Sequence, residues 1–263
     1  MNLALQLVLA IGCMSLVMTS LWFLQRRTGD AGIVDVAWGL GVGCLAIFFC
    51  VVNAGLPARR VVIACLAMAW AVRLSAHVLR RVLQLPEDGR YQKLKSEWGA
   101  SASAKMFRFY QFQALASVLF ALPMLIAARN PSAWGFFDLL GVVIWTIAIG
   151  GESLADYQLD QFRDNPENKG QVCQQGLWRY SRHPNYFFEW LHWWTYVCFA
   201  VGAAWGWLTI AFPLAMLYFI TRVTGIPPTE AQAVRSRGDA YREYQRTTSA
   251  FFPWPPHKPK AVG

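Results

Sequence analysis

The chain has 263 residues, of which 56% are hydrophobic and only 15% charged, and its mean hydropathy is +0.30. Such a balance excludes a disordered chain and favours a membrane protein over a soluble domain. The formal net charge of +9 has to be located before it carries meaning, and no nucleic-acid partner is expected. Six cysteines form no CxxC pair, so a disulfide scaffold is excluded; Cys13, Cys44, Cys50, Cys65 and Cys198 fall in apolar runs and read as buried free thiols. Thirteen tryptophans suit membrane interfaces and flat-ligand pockets equally well.

Apolar stretches near the roughly 20 residues needed to cross a ~30 Å hydrocarbon core fall at about 2–24, 32–53, 60–80, 109–128, 133–155, 186–204 and 206–224. The expected fold is all-α: a multi-pass integral membrane protein with seven transmembrane helices, one domain over 1–263. The first run lacks a basic leader and is followed directly by Gln25, Arg26 and Arg27, so it reads as a retained span. Basic residues crowd the connections after spans one, three, five and seven, from Arg26 and Arg27 to Arg242, Arg246, Lys258 and Lys260. The opposite side has only Arg59, Arg60 and Arg129. This asymmetry puts the N-terminus outside and the long C-terminal tail in the cytoplasm, in the inner membrane if the source is bacterial. There is no internal repeat, P-loop, HExxH or GxSxG, and no metal site is expected.

Ionisable groups inside spans cost at least ~2.5 kcal/mol at the bilayer centre, so each is expected to face the bundle interior or a wet cavity. On span two, Asp35, Trp38 and Gly39 share a face at i, i+3 and i+4. That face is either a seam for close packing, with Asp35 as a polar cap, or an approach for a flat ligand. Span three ends in Trp70, Arg73, His77, Arg80 and Arg81 on one stripe, able to cradle phosphate or to snorkel to lipid headgroups. Beyond it, Glu87-Asp88-Gly89-Arg90-Tyr91 has turn chemistry at its glycine.

Span five runs into Glu152, Asp156 and Arg163, which point one way if the helix continues that far. They suit either a ligand with hydroxyl and phosphate groups or an internal ion-pair ladder. In Gly176-Leu-Trp-Arg-Tyr-Ser-Arg-His-Pro184, the proline is placed to open span six, which crowds Arg179, Tyr180, Arg182 and His183 at a helix N-terminus. Asn185, Glu189 and His192 then recur at i, i+4 and i+7. The tail over 226–263 starts with Thr229 as N-cap and Glu230 in the first turn, and continues as a short basic helix with Tyr241 and Tyr244. An interfacial anchor is its simplest role.

Four segments, VDVAWGLG at 34–41, EDGRYQ at 87–92, GLWRYSRHPNYFFEW at 176–190 and YREYQRTTSAFFPWPP at 241–256, together resemble the bacterial branch of the steroid 5-alpha-reductase family. The resemblance implies a membrane reductase that binds NADPH in a cytoplasm-facing pocket and reduces the carbon–carbon double bond of an enone, with donors on the carbonyl oxygen. It implies cofactor contacts at Asp156, Arg163, Asn185 and Glu189, with Glu152 on the same rib. Arg179, Tyr180, Arg182 and His183 would lie beside the phosphates, and the tail over 226–263 would close the pocket through Glu230 and Tyr241. The family carries a Gln-Glu pair on span two and a tyrosine on the next; this chain has Asp35 and Trp38, with Trp70 near the tyrosine's place. Asp35 is therefore the expected acid, with Tyr91 or His77 as the second donor. The partners expected are a lipophilic, steroid-like small molecule and membrane lipid, with the protein a monomer. The alternative is a membrane methyltransferase of the isoprenylcysteine carboxyl methyltransferase type using S-adenosylmethionine, which shares the RHPxY element. The arginine supply favours the reductase, because S-adenosylmethionine has no phosphate.

Overall fold

The computed structural model describes residues 1–84 and 86–257. Lys258 and Lys260, and with them the end of the 226–263 tail, lie outside the described residues. The described chain is all-helical, without strands: α1 (Leu3–Thr28), α2 (Ile33–Val52), α3 (Pro57–Gln84), α4 (Gly89–Trp98), α5 (Ala102–Ala128), α6 (Phe136–Asp164), α7 (Pro184–Ala200), α8 (Ala211–Tyr218), α9 (Ile226–Arg237) and α10 (Asp239–Thr247). Six helical segments among the described residues are long and apolar enough to cross a membrane: α1, α2, α3, Gly89–Ala128, α6 and Gly206–Arg237. The molecule is thus a multi-pass integral membrane protein. The remaining predicted span corresponds to α7, a helix of 17 residues, at the short limit for crossing.

The chain divides into two compact units. The first comprises Met1–Gly135 and Phe199–Thr209. At its centre α2 is buried by α1, α3 and α5, and its glycines are what let neighbours come so near. A Cβ on Gly43 would stand 2.5 Å from Ala71 Cβ, and one on Gly41 2.4 Å from Met14 Cε. The close-packing face anticipated on this helix therefore exists, and Ser75 Oγ donates to Val36 O across it at 3.1 Å. Trp38 sits edge-on to Trp70 and Phe120, with ring centroids 6.2 and 5.6 Å apart.

Polar side chains within these helices are paired rather than offered to hydrocarbon. Gln6 and Asn53 exchange reciprocal amide bonds of 3.2 and 2.9 Å, while Gln111 links α5 to Ser15 and Thr19 of α1. Two arginines of the basic-poor side also act inside the fold. Arg59, 2% exposed, donates to the carbonyls of Asn130, Ser132 and Ala133, and Arg60 to those of Cys50 and Asn53 at the end of α2. Arg59 thus satisfies carbonyls of the loop after α5, and Arg60 satisfies carbonyls at the end of α2.

The second unit comprises Phe136–Cys198 and the chain from Ile210 onward. α6 passes close to α7, since a Cβ on Gly151 would lie 2.4 Å from the Phe188 ring. Ile220, Ile226 and Phe251 form a small core flanked by Phe187 and Trp190. A π-helical turn, Phe219–Val223, carries the chain from α8 toward α9.

Three local expectations are corrected. Cys13, Cys44 and Cys65 are exposed on the helix surfaces and Cys198 is only half-buried; as small apolar residues they are compatible with a lipid-facing surface as readily as with a core. Gly89 is not a turn but the first residue of α4, whose N-cap is Asp88. Thr229 is not an N-cap: α9 begins at Ile226 behind Gly225, with proline in its first turn, where a missing N–H costs little.

Because α2 has no room for side chains at its glycines, Gly43→Val is expected to cost about 1–3 kcal/mol through overpacking. Thermal unfolding in detergent should show a fall of several degrees; an unchanged midpoint would mean that α2 and α3 are not tightly packed there.

Candidate functional site

The four sequence elements meet in pairs, one pair in each unit. In the first unit, EDGRYQ wraps the N-terminus of α2. Glu87 Oε1 accepts from Ala31 N at 2.7 Å and from Lys95, while Asp88 caps α4 by accepting from Arg90 N at 2.9 Å. The Arg90 guanidinium then bridges Asp88 and Asp35, with Nη2 3.2 Å from Asp88 Oδ2 and 3.3 Å from Asp35 Oδ2. Tyr91, 3% exposed, donates its phenol to Asp35 Oδ1 at 2.8 Å. Burial works against ionisation of Asp88, but the Arg90 hydrogen bonds outweigh it and hold the carboxyl below its ordinary range.

These groups line a cavity of about 100 Å³ with Arg81 and Val78. Asp35 and Tyr91, one of the two candidate second donors, are therefore brought together. His77 is half-buried on α3 and does not line this cavity. Arg90 was missed as a partner of Asp35; its place directly before Tyr91 in a segment with two acids was the only signal.

In the second unit α6 does continue to Asp164, carrying Glu152 (buried), Asp156 (half-buried) and Arg163 (exposed) toward the rim. Against it lies the 176–183 segment, and the local sequence shows why. Trp178 Nε1 donates to Ala155 O at 2.8 Å and Leu177 N to Gln158 Oε1 at 2.8 Å. Gly176 has φ +56°, and a Cβ there would stand 2.3 Å from the Gln158 amide; a glycine is needed on both counts. Pro184 opens α7 as anticipated. Asn185 Nδ2 then reaches Asp156 Oδ1 at 3.2 Å, so the two motif residues from α6 and α7 touch. Glu189 accepts from Trp193 Nε1 at 3.2 Å one turn deeper. Arg179 and Tyr180 are exposed.

The remaining predicted residues converge on a clamp. Arg182 Nε donates to Glu230 Oε1 at 2.7 Å and its Nη1 to the carbonyls of Gln245 and Thr248. His183 Nε2 lies 3.2 Å from the same Glu230 oxygen, and its ring stacks on Tyr186 at 5.2 Å. Gln245 Nε2 closes the other oxygen at 2.7 Å. Backbone bonds from Arg182 to Ser249 and from Trp254 to Tyr180 tie the tail to the loop, and the buried Tyr244 phenol donates to Trp178 O and Ser181 O. Tyr241 is buried edge-on to Tyr244. Arg182, His183 and Glu230 are thus bonded to one another, in a clamp that ties loop to tail. Gln245 was missed by sequence reading, although its i, i+4 spacing from Tyr241 puts it on the same helical face.

Burial pushes the His183 imidazole below its ordinary value, against the opposing pull of Glu230. A depressed folded pKa means stability that is present above the unfolded value of about 6.5 and lost as pH falls. The thermal midpoint should therefore drop between about pH 7.5 and 5.5, and less so in His183→Asn; equal pH dependence would remove His183 as the cause. Glu230→Ala leaves Arg182 without its partner and should cost at least ~2 kcal/mol and expose the tail to protease. Unaltered proteolysis of the tail would show that the clamp does not hold it.

Comparison with known proteins adds a class. Residues 21–248 match the family described as "Protein of unknown function (DUF1295)", and the chain belongs to that family. The chain is 26% identical over 261 residues to a protein of Schizosaccharomyces pombe described as uncharacterized, covering 89% of this chain and 75% of that one. No solved structure matches the chain.

Proposed function

We propose that this protein is an integral-membrane, NADPH-dependent reductase of the carbon–carbon double bond of an enone in a lipophilic, steroid-like substrate, with seven spans, the N-terminus outside and the tail in the cytoplasm. The observation that carries the reading is the Asp156–Asn185 contact, with exposed arginines further along α6 at Arg163 and in the 176–183 segment at Arg179. Two motif residues, 29 apart in sequence, meet where α6 emerges, and the donor set around them fits a phosphorylated dinucleotide. Carboxylates at Asp156 and Glu189 accept from ribose hydroxyls or an amide, the Asn185 amide donates, and Arg163 and Arg179 suit phosphate oxygens. Glu152 lies deeper on the same helix. Arg182, His183, Glu230 and Tyr241 serve by fixing the loop and tail.

Bound NADPH would supply hydride to the β carbon of an enone, and a solvent proton taken up at the α carbon would complete the reduction. The chain's own contribution at the carbonyl oxygen is assigned to Asp35 and Tyr91, whose phenolic proton is held on Asp35 Oδ1. Arg90 keeps the Asp35 side chain oriented; in its protonated form Asp35 would donate to the substrate oxygen, with the Tyr91 phenol beside it, and donors so fixed stabilise a developing enolate without reorganisation. His77 is the alternative donor.

NADPH is expected to raise the thermal midpoint of the detergent-purified protein by linkage, and S-adenosylmethionine to leave it unchanged. The reverse result would transfer the assignment to a membrane methyltransferase. Arg163→Ala and Asn185→Ala should each weaken NADPH binding by about tenfold, read by titration. Asp35→Asn should slow NADPH-dependent reduction of a 4-ene-3-ketosteroid or shorter enone by about 100-fold or more while cofactor binding stays near wild type. Full activity in that variant would retire Asp35.

A further inference from the structure

On the outer surface of the first unit, where the C-terminal part of α1 lies beside the N-terminal part of α5, Trp22, Arg26, Ala100, Ser103, Ala104, Phe107 and Arg108 surround an open groove of about 580 Å³. The groove exists because α5 presents small residues there, and its floor is fixed. Trp22 Nε1 donates to Ser103 O at 3.1 Å, and the indole packs edge-on against Phe107 at 5.1 Å. The Arg26 guanidinium lies 5.1 Å over the same indole, which orients it while leaving its N–H edge to a ligand. Arg108 stands on the opposite wall. Both arginines are exposed, no carboxylate lines the groove, and no ion pair neutralises either one among the described residues.

Below Arg108 the same face of α5 carries Phe112, Leu115 and Leu119, at i+4, i+7 and i+11, all at least half exposed. Eleven residues of helix rise ~16 Å, about half of a ~30 Å hydrocarbon core. A pair of guanidinium groups thus sits at the head of an apolar track one leaflet deep.

We propose that this groove is a binding site for one anionic glycerophospholipid, its phosphate held between Arg26 and Arg108 and an acyl chain lying along Phe112, Leu115 and Leu119. Charge complementarity selects the headgroup, and the apolar stripe distinguishes a lipid from a free anion, which has no use for it. Trp22 takes the interfacial position that indoles favour. The site is independent of the reductase assignment.

The test is native mass spectrometry of the full-length protein in detergent, titrated with phosphatidylglycerol, phosphatidylcholine or inorganic phosphate. One tightly retained phosphatidylglycerol is expected, with phosphatidylcholine held at least about tenfold more weakly and phosphate not raising the thermal midpoint. Arg26→Ala/Arg108→Ala should lose that retention by about tenfold or more, while Arg27→Ala, outside the groove, keeps it. Leu115→Asn should weaken lipid retention without disturbing the arginines. Equal retention of both lipids, equal retention by the double variant, or stabilisation by phosphate alone would overturn the proposal. The two arginines are on the surface, so their loss should leave the fold intact, checked by an unchanged thermal midpoint in lipid-free detergent.

Discussion

The interaction on which most of the candidate site depends is the ion pair between Arg182 and Glu230, 2.7 Å apart with little solvent on either side chain. Removing two charges from water is expensive, and such a pair survives only when the remaining lone pairs and protons are also satisfied. Here they are: Glu230 has His183 and Gln245 on its oxygens, and Arg182 has two tail carbonyls. The clamp fixes a segment with little regular structure of its own against the tail. Because Pro184 follows directly, the same clamp sets where α7 begins and therefore where Asn185 meets Asp156.

A parallel device works in the first unit with different chemistry. Arg90 bridges Asp35 and Asp88, so one guanidinium holds the cap of α4 and the start of α2 in register. Both units thus place an arginine of a sequence motif on a carboxylate of a distant segment, with a tyrosine buried alongside. The polar groups that looked costly for a membrane protein are spent first on building the termini of the helices. Outside these clamps lie Asp156, Asn185, Glu189 and the exposed Arg163 and Arg179, the residues to which the proposal assigns the dinucleotide.

Much of this was legible in the chain. Six of the seven apolar runs became segments long enough to span, because hydrophobic length is nearly sufficient to define a membrane helix. Pro184 announced α7, whereas the continuation of α6 through Glu152, Asp156 and Arg163 was a condition of the sequence reading that the structure meets. The pairing of motifs was not legible. Nothing in the spacing of Arg182 and Glu230, or of Asp35 and Arg90, says that they meet, since such contacts are fixed by packing across distant segments. Local reading also misplaced a turn and a cap: Gly89 and Thr229 each lie inside a helix, because Asp88 and the prolines after Gly225 supplied stronger start signals. Nor did apolar context decide burial for Cys13, Cys44 and Cys65, as a lipid-facing residue and a core residue look alike in sequence.

The most direct test of the nucleotide assignment is amide hydrogen exchange of the detergent-solubilised protein with and without NADPH. If the dinucleotide seats on Asp156, Asn185 and the neighbouring arginines, exchange slows in peptides covering 152–164 and 176–190 and in the clamped tail over 241–254, while α1 is unaffected. Identical exchange in those three segments with saturating NADPH would contradict the assignment.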